Sequence, residues 1–159
     1  MEDDMKILVL GGGLIGGPMA IDLARDEAFD VTVADIDEAR LAELARWHEG
    51  VATACEDLSS AQAVGALAAD HEMVINAVPG PIGFQALEAI IRAGRDVVDI
   101  AFYPEDPFDL DALARECGVT AVVDCGVAPG MSNLLTGHMV EQLDTTDTAI
   151  TYVGGLPEK

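Results

Sequence analysis

Between Lys6 and Asp35 the chain carries one unbroken pattern that leaves few folds open. Lys6 to Leu10 (KILVL) is a near-continuous apolar run, as expected of a strand covered on both faces of a parallel sheet. It leads directly into Gly11-Gly12-Gly13-Leu14-Ile15-Gly16, a G-x-G-x-x-G. From Ile15 to Arg25 the apolar residues Ile15, Met19, Ala20 and Leu23 recur at helical spacing. Val31 to Ala34 (VTVA) reads as a second strand, and Asp35 follows it, 19 residues after Gly16. Each glycine of the loop meets a separate physical need. Gly11 permits the tight turn out of the strand, Gly13 lets the backbone approach a pyrophosphate, and Gly16 lets the helix pack closely on the sheet. The helix opening offers unpaired N–H groups from Leu14 and Ile15 onward, at the positive end of its dipole. Gly17 and Pro18 fall in the first turn, where a missing N–H costs little. Asp35 stands where an acid accepts hydrogen bonds from both ribose hydroxyls of an adenosine. The pattern predicts a dinucleotide site.

The rest of the chain repeats the alternation. Asp37 is placed to cap a helix carrying Leu41, Leu44 and Ala45. Val51 to Cys55 is a weak third strand. Ser59 or Ser60 opens a helix with Val64, Leu67 and Ala68. Met73 to Val78 is a fourth strand, stopped by Pro79 and Gly80. Ile82 to Ala93 is helical, with Leu87, Ile90 and Ile91 inward and Gly94 as its stop. Val97 to Ala101 is a fifth strand, Asp109 to Cys117 a short helix ending at Gly118, Val119 to Val123 a sixth strand, and Ser132 to Leu143 a last helix. Six β–α alternations predict an α/β fold with a doubly wound parallel sheet, the Rossmann arrangement, over residues 1–143. Asp144 to Asp147 reads as a linker. Ile150 to Val153 reads as a new strand, followed by Gly154, Gly155, Leu156 and Pro157.

Ligands of such sheets sit outside the carboxyl ends of the strands, which extends the candidate site. Gly11, Gly13, Leu14, Ile15, Gly16, Asp35 and Ile36 hold the adenosine and diphosphate. Asp57 and Leu58 edge the adenine. Val78, Pro79 and Gly80, within Asn76–Gly80, line the path to the nicotinamide ribose, and Asp99 ends the fifth strand near the nicotinamide. Asp124 to Asn133 is a fixed turn rich in glycine and proline, and with Gly126 it closes over the same side. The expected cofactor is NAD, with NADP disfavoured. A carboxylate at Asp35 repels a 2′-phosphate, Ile36 and Asp37 supply no arginine, and Arg40 is expected to face solvent. FAD is disfavoured because little chain remains to bury its ring. No catalytic residue can be named. Asp124 and Cys125 lie at the right strand end, but a Cys125 thiolate is costly in a negative field, so a packed thiol is expected. His48, His71 and His138 are expected to be solvated or packed, and Trp47 to pack a helix end. No metal-ligand spacing occurs.

Charge excludes other classes. The chain has 29 acidic and 8 basic residues, a net −21, and that field repels nucleic acid and anionic membrane surfaces. The acids are spread along the chain, and only 2 lysines stand against 24 alanines. This composition points to a halophilic surface. No apolar run reaches the ~18 residues of a membrane span. The N-terminus has no basic region ahead of an apolar one, and three widely spaced cysteines read as free thiols, so a cytoplasmic protein is expected.

Three stretches carry a family resemblance: Lys6 to Asp35, Asp124 to His138 (DCGVAPGMSNLLTGH) and Tyr152 to Pro157 (YVGGLP). They resemble the saccharopine dehydrogenase family, in its lysine 6-dehydrogenase-like branch. The resemblance implies a Rossmann domain feeding an α/β substrate and dimerisation domain, with NAD(P)-dependent oxidation at an amine-bearing carbon of an amino acid or amine. It makes residues 144–159 the linker and start of that second domain, and a homodimer the expected assembly. The chain stops at Lys159, so catalysis by it alone is not expected. The alternative reading is a non-catalytic NAD-binding regulatory module of the ligand-gating type.

Overall fold

The computed structural model describes residues 4–154. Six strands form one sheet: β1 Met5–Leu10, β2 Phe29–Asp35, β3 Val51–Cys55, β4 Met73–Asn76, β5 Asp96–Asp99 and β6 Ala121–Val122. Their order is β3-β2-β1-β4-β5-β6, and every pairing is parallel. The helices are α1 Gly16–Leu23, α2 Glu38–Trp47, α3 Ala61–Ala69, α4 Gly80–Arg92, α5 Asp111–Cys117 and α6 Met131–Glu141. The expected doubly wound α/β fold is present.

Side chains along β1 alternate between two cores, as the period of a strand requires. Leu8 and Leu10 join one cluster with Val64 of α3, Val74 of β4 and Leu87 and Ile90 of α4. Val9 joins the other, with Val31 and Val33 of β2, Leu41 and Leu44 of α2 and Val51 of β3. Complete burial of each large aliphatic side chain contributes about 1.5–3 kcal/mol, so β1 is the best-anchored element. Asp37 caps α2 by accepting from the amides of Ala39 and Arg40, and Ser60 caps α3 through Ala63. Leu87, Ile90 and Ile91 face inward on α4 as the spacing predicts, and Gly94 and Gly118 follow their helices at positive φ.

The differences lie toward the C-terminus. β4 stops at Asn76 and β6 spans only two residues. The helix expected from Asp109 begins instead as a 3-10 turn, Pro107–Leu110, with the Asp106 carboxylate accepting from the Phe108 amide. Ile150 to Val153 is not a strand. It runs back beside α6, where Thr151 Oγ1 lies 3.4 Å from Thr136 Oγ1. The run has strand propensity but no ladder partner among the described residues, and propensity alone does not make a strand. Gly155, Leu156 and Pro157 lie outside the described residues.

Candidate functional site

The chain crosses the sheet between β3 and β4, so β1 and β4 are neighbours whose connections leave in opposite directions. Such a switch point opens a crevice at the carboxyl ends of the strands. The glycine loop lies there. Gly11 adopts φ +94°, and a Cβ on it would stand 2.7 Å from the Ala77 carbonyl oxygen, so the loops after β1 and β4 touch backbone to backbone. A Cβ on Gly16 would collide with the Gly11 carbonyl oxygen, which closes the turn onto α1. Gly13 differs: the one atom near its missing side chain is Arg40 Nη1, at 3.4 Å. The loop therefore needs Gly11 and Gly16 for its own fold, and leaves Gly13 open to a ligand.

Asp35 ends β2 beside this loop. Its Oδ2 accepts from the Gly12 amide at 2.7 Å and its Oδ1 from the Asp37 amide at 2.9 Å. The carboxylate thus fixes the loop and the start of α2, and each oxygen keeps a lone pair for a ribose hydroxyl. Among the described residues the amides of Gly13, Leu14 and Ile15 meet no protein acceptor. Leu14 is 88% exposed, so it does not plug the mouth, and Ile15 and Ile36 are exposed as well. Free amides, an open glycine and an acid at ribose reach fit an adenosine diphosphate group.

The remaining predicted residues divide by what they can offer. Asp57 is exposed, and Ser59 hydrogen bonds hold its carboxyl below the usual range. Leu58 and Val78 are buried in the core, so only their backbone can meet a ligand. Pro79 caps α4 and Gly80 packs against the Phe102 carbonyl oxygen. Gly126 sits in a tight turn, its carbonyl accepting from the Met131 amide at 2.9 Å.

Asp99 departs from the expectation. It is fully buried, so its carboxylate cannot line an open cleft. It accepts instead from Asn76 Nδ2 at 3.0 Å, the Ala101 amide at 2.7 Å and the Tyr103 hydroxyl at 3.3 Å. The reason is register: Asn76 and Asp99 are direct partners across β4 and β5. Burial pushes Asp99 up to about 6 against these hydrogen bonds, and the Asp124 charge adds to the rise. Burial and Asp99 push the Tyr103 hydroxyl far above its ordinary range. Asp124 itself takes a left-handed backbone, φ +57°. Cys125 is half-buried, and burial together with Asp99 and Asp124 raises its thiol, which suits a packed thiol rather than a nucleophile. His138 is exposed and pairs with Gln142.

Two residues beside the loop lie outside the predicted site residues. Trp47, expected to pack a helix end, is 69% exposed and lines the cleft over the glycine loop. Arg40 is exposed as expected, yet its guanidinium lies at Gly13. The signal was its place in the first turn after the Asp37 cap, which aims it back toward the loop.

A family model described as the saccharopine dehydrogenase NADP binding domain matches residues 7–122. The chain belongs to the saccharopine dehydrogenase family. The glutamate-forming, NADP(+)-dependent saccharopine dehydrogenase of Pyricularia oryzae is 26% identical over 156 residues, covering 96% of this chain and 34% of that protein. The mitochondrial alpha-aminoadipic semialdehyde synthase of Bos taurus is 21% identical over 99% of this chain and 17% of its own length. The solved apo saccharopine dehydrogenase of Saccharomyces cerevisiae superposes with a TM-score of 0.78 at 25% identity, over 87% of this chain and 31% of that one. The chain therefore spans about a third of the length of the fungal enzymes it matches. Biliverdin reductase from Synechocystis shares the fold, with a TM-score of 0.62 at 21% identity over 87% of this chain and 42% of that one. As a saccharopine dehydrogenase-type cofactor domain, the chain binds a nicotinamide dinucleotide. The family match favours the oxidoreductase reading over the gating module. No helix among the described residues is long and apolar enough to cross a membrane.

Proposed function

We propose that this chain is the cofactor domain of a dehydrogenase that oxidises an amine-bearing carbon of an amino acid, and that it takes NAD in preference to NADP. The bound nicotinamide would supply the hydride acceptor. The observation that carries the reading is Asp35, locked to the Gly12 amide at the β1/β4 crevice with lone pairs left for a ribose diol. The amides of Gly13 to Ile15 hold the diphosphate. Leu58, Val78, Pro79 and Gly80 present backbone along the cofactor path, and Gly126 belongs to the turn that covers the nicotinamide side. Asp99 fixes that edge from beneath through Asn76 and Tyr103. Residues 1–143 form the cofactor domain, and 144–159 lead toward a substrate and dimerisation domain, as in a homodimer. The lysine 6-dehydrogenase-like branch, a halophilic source and a cytoplasmic setting belong to the same proposal and rest on the quoted motifs, the acidic surface and the free thiols.

Calorimetry on the full chain tests it. NAD is expected to bind more tightly than NADP. Gly13→Ala is expected to weaken NAD by about tenfold or more, a loss of roughly 1.4 kcal/mol, with no change in the thermal melt. Gly16→Ala, by contrast, should lower the melt itself. Tighter binding of NADP, or Gly13→Ala binding NAD as well as the parent does, overturns the assignment.

A further inference from the structure

We propose that Arg40 is a specificity-determining residue of the cofactor site: its guanidinium receives a 2′-phosphate and so decides how far NADP is tolerated against the carboxylate of Asp35. This rests on the reading of the glycine loop as a dinucleotide site. Arg40 follows Asp35 by five residues, and its amide is held by the Asp37 cap at 3.1 Å. Its Nη1 stands 3.4 Å from the position a Cβ would take on Gly13. Gly13, Leu14, Pro18, Arg40, Glu43 and Trp47 line a cleft of about 310 Å³ there.

The other five arginines are engaged. Arg92 and Arg115 pair with Glu88 and Asp111 one turn away on their own helices, and Arg25, just beyond α1, pairs with Asp22. Arg46 donates to the Ala42 carbonyl and Arg95 to the Ala69 carbonyl. Of the six arginines Arg40 alone has a side chain with no acceptor among the described residues, in a chain of net charge −21. Glu43 lies in the same cleft and forms no ion pair with it. A guanidinium free of carboxylates keeps its planar fork for a phosphate. The diphosphate already has the loop amides. Arg40 approaches from the α2 side, where Asp35 would hold the ribose, so the phosphate it reaches is one carried on that ribose.

The experiment uses the full chain, its Arg40→Ala and Arg40→Lys variants, and four probes: NAD, NADP, 5′-ADP and 2′,5′-ADP. Binding is read by calorimetry and by the fluorescence of Trp47, the one tryptophan of the sequence, which lines the same cleft. Arg40→Ala is expected to weaken NADP and 2′,5′-ADP by about tenfold or more, leaving NAD and 5′-ADP within about threefold. Arg40→Lys should recover part of the loss. Equal weakening of all four probes would make Arg40 a diphosphate ligand and overturn the proposal. So would NADP affinity that ignores the substitution, or that is already unmeasurable in the parent chain. In each of those cases normal binding of NAD leaves the cofactor reading standing. If the parent chain binds neither NAD nor 5′-ADP, both fall together.

Discussion

At Asp99 a carboxylate lies wholly beneath the site edge, accepting from Asn76, the Ala101 amide and the Tyr103 hydroxyl, with the charge of Asp124 facing it. Its ordinary value is 3.8 and its folded value about 6, raised by burial. Across that window the folded chain holds a proton that the unfolded chain has released. The contribution of Asp99 to stability therefore falls as pH rises from about 4 to about 6, and is level above that. Asp99→Asn removes the titration and keeps one oxygen for the Ala101 amide, at the cost of the second oxygen to which Asn76 and Tyr103 donate, a loss that does not vary with pH. Relative to the parent, the variant should gain on the order of 2–3 kcal/mol between pH 4 and pH 7, read by urea unfolding at each pH. A difference that stays constant with pH would rule this out. The sequence reveals Asp99 as a strand-end acid but not as a buried one, because burial depends on β5 pairing with β4 in the register that sets it opposite Asn76. The glycine loop and Asp35 were legible for the converse reason: their spacing is fixed within one βαβ unit, and no distant register enters. Arg40 was half legible, since its exposure follows from helical period while its reach to Gly13 depends on where α2 lies.

Elements were legible where their own apolar face marks them, even for β1, whose neighbour β4 is remote in sequence. β1, β2 and β3, with α2 and α4, fall close to their predicted spans, since each is apolar on the face it buries. The clearest failure is a run with strand propensity and no ladder partner among the described residues. Ile150 to Val153 reads as a strand and forms none, and α6 reads correctly as a helix although period cannot say whether anything covers it. No residue of α6 is buried, and Leu134, Leu135 and Met139 are each more than half exposed. In α4, by contrast, Gly83, Ala86, Leu87, Ala89, Ile90 and Ile91 are buried. Opening α6 therefore exposes little apolar surface, whereas opening α4 dismantles a core. Amide exchange followed by mass spectrometry should find residues 131–141 exchanging at least about 100-fold faster than residues 80–92. Comparable protection of the two helices would show that α6 is held by a surface other than the one described.

Over the whole molecule, 29 acids face 8 bases, and the ion pairs among the described residues are three exposed pairs between residues three or four apart in sequence. Exposed pairs of that kind contribute only about 0.3–0.5 kcal/mol each, too little to offset repulsion among the other acids. The two apolar cores must hold the fold together against that repulsion, and they do so through uncharged contacts that salt does not weaken. Added salt shortens the screening length from about 10 Å at 0.1 M to about 3 Å at 1 M, which removes repulsion between acids spaced along the surface. Raising KCl from 0.1 M to 2 M should therefore lift the melting temperature by at least about 5 °C, with most of the gain below 1 M, where screening changes fastest. A melting temperature that is flat or falling with KCl would mean the acids are too well hydrated or too far apart to repel. The halophilic reading would then lose its physical basis, while the dinucleotide site, built from backbone amides and one carboxylate, would be untouched.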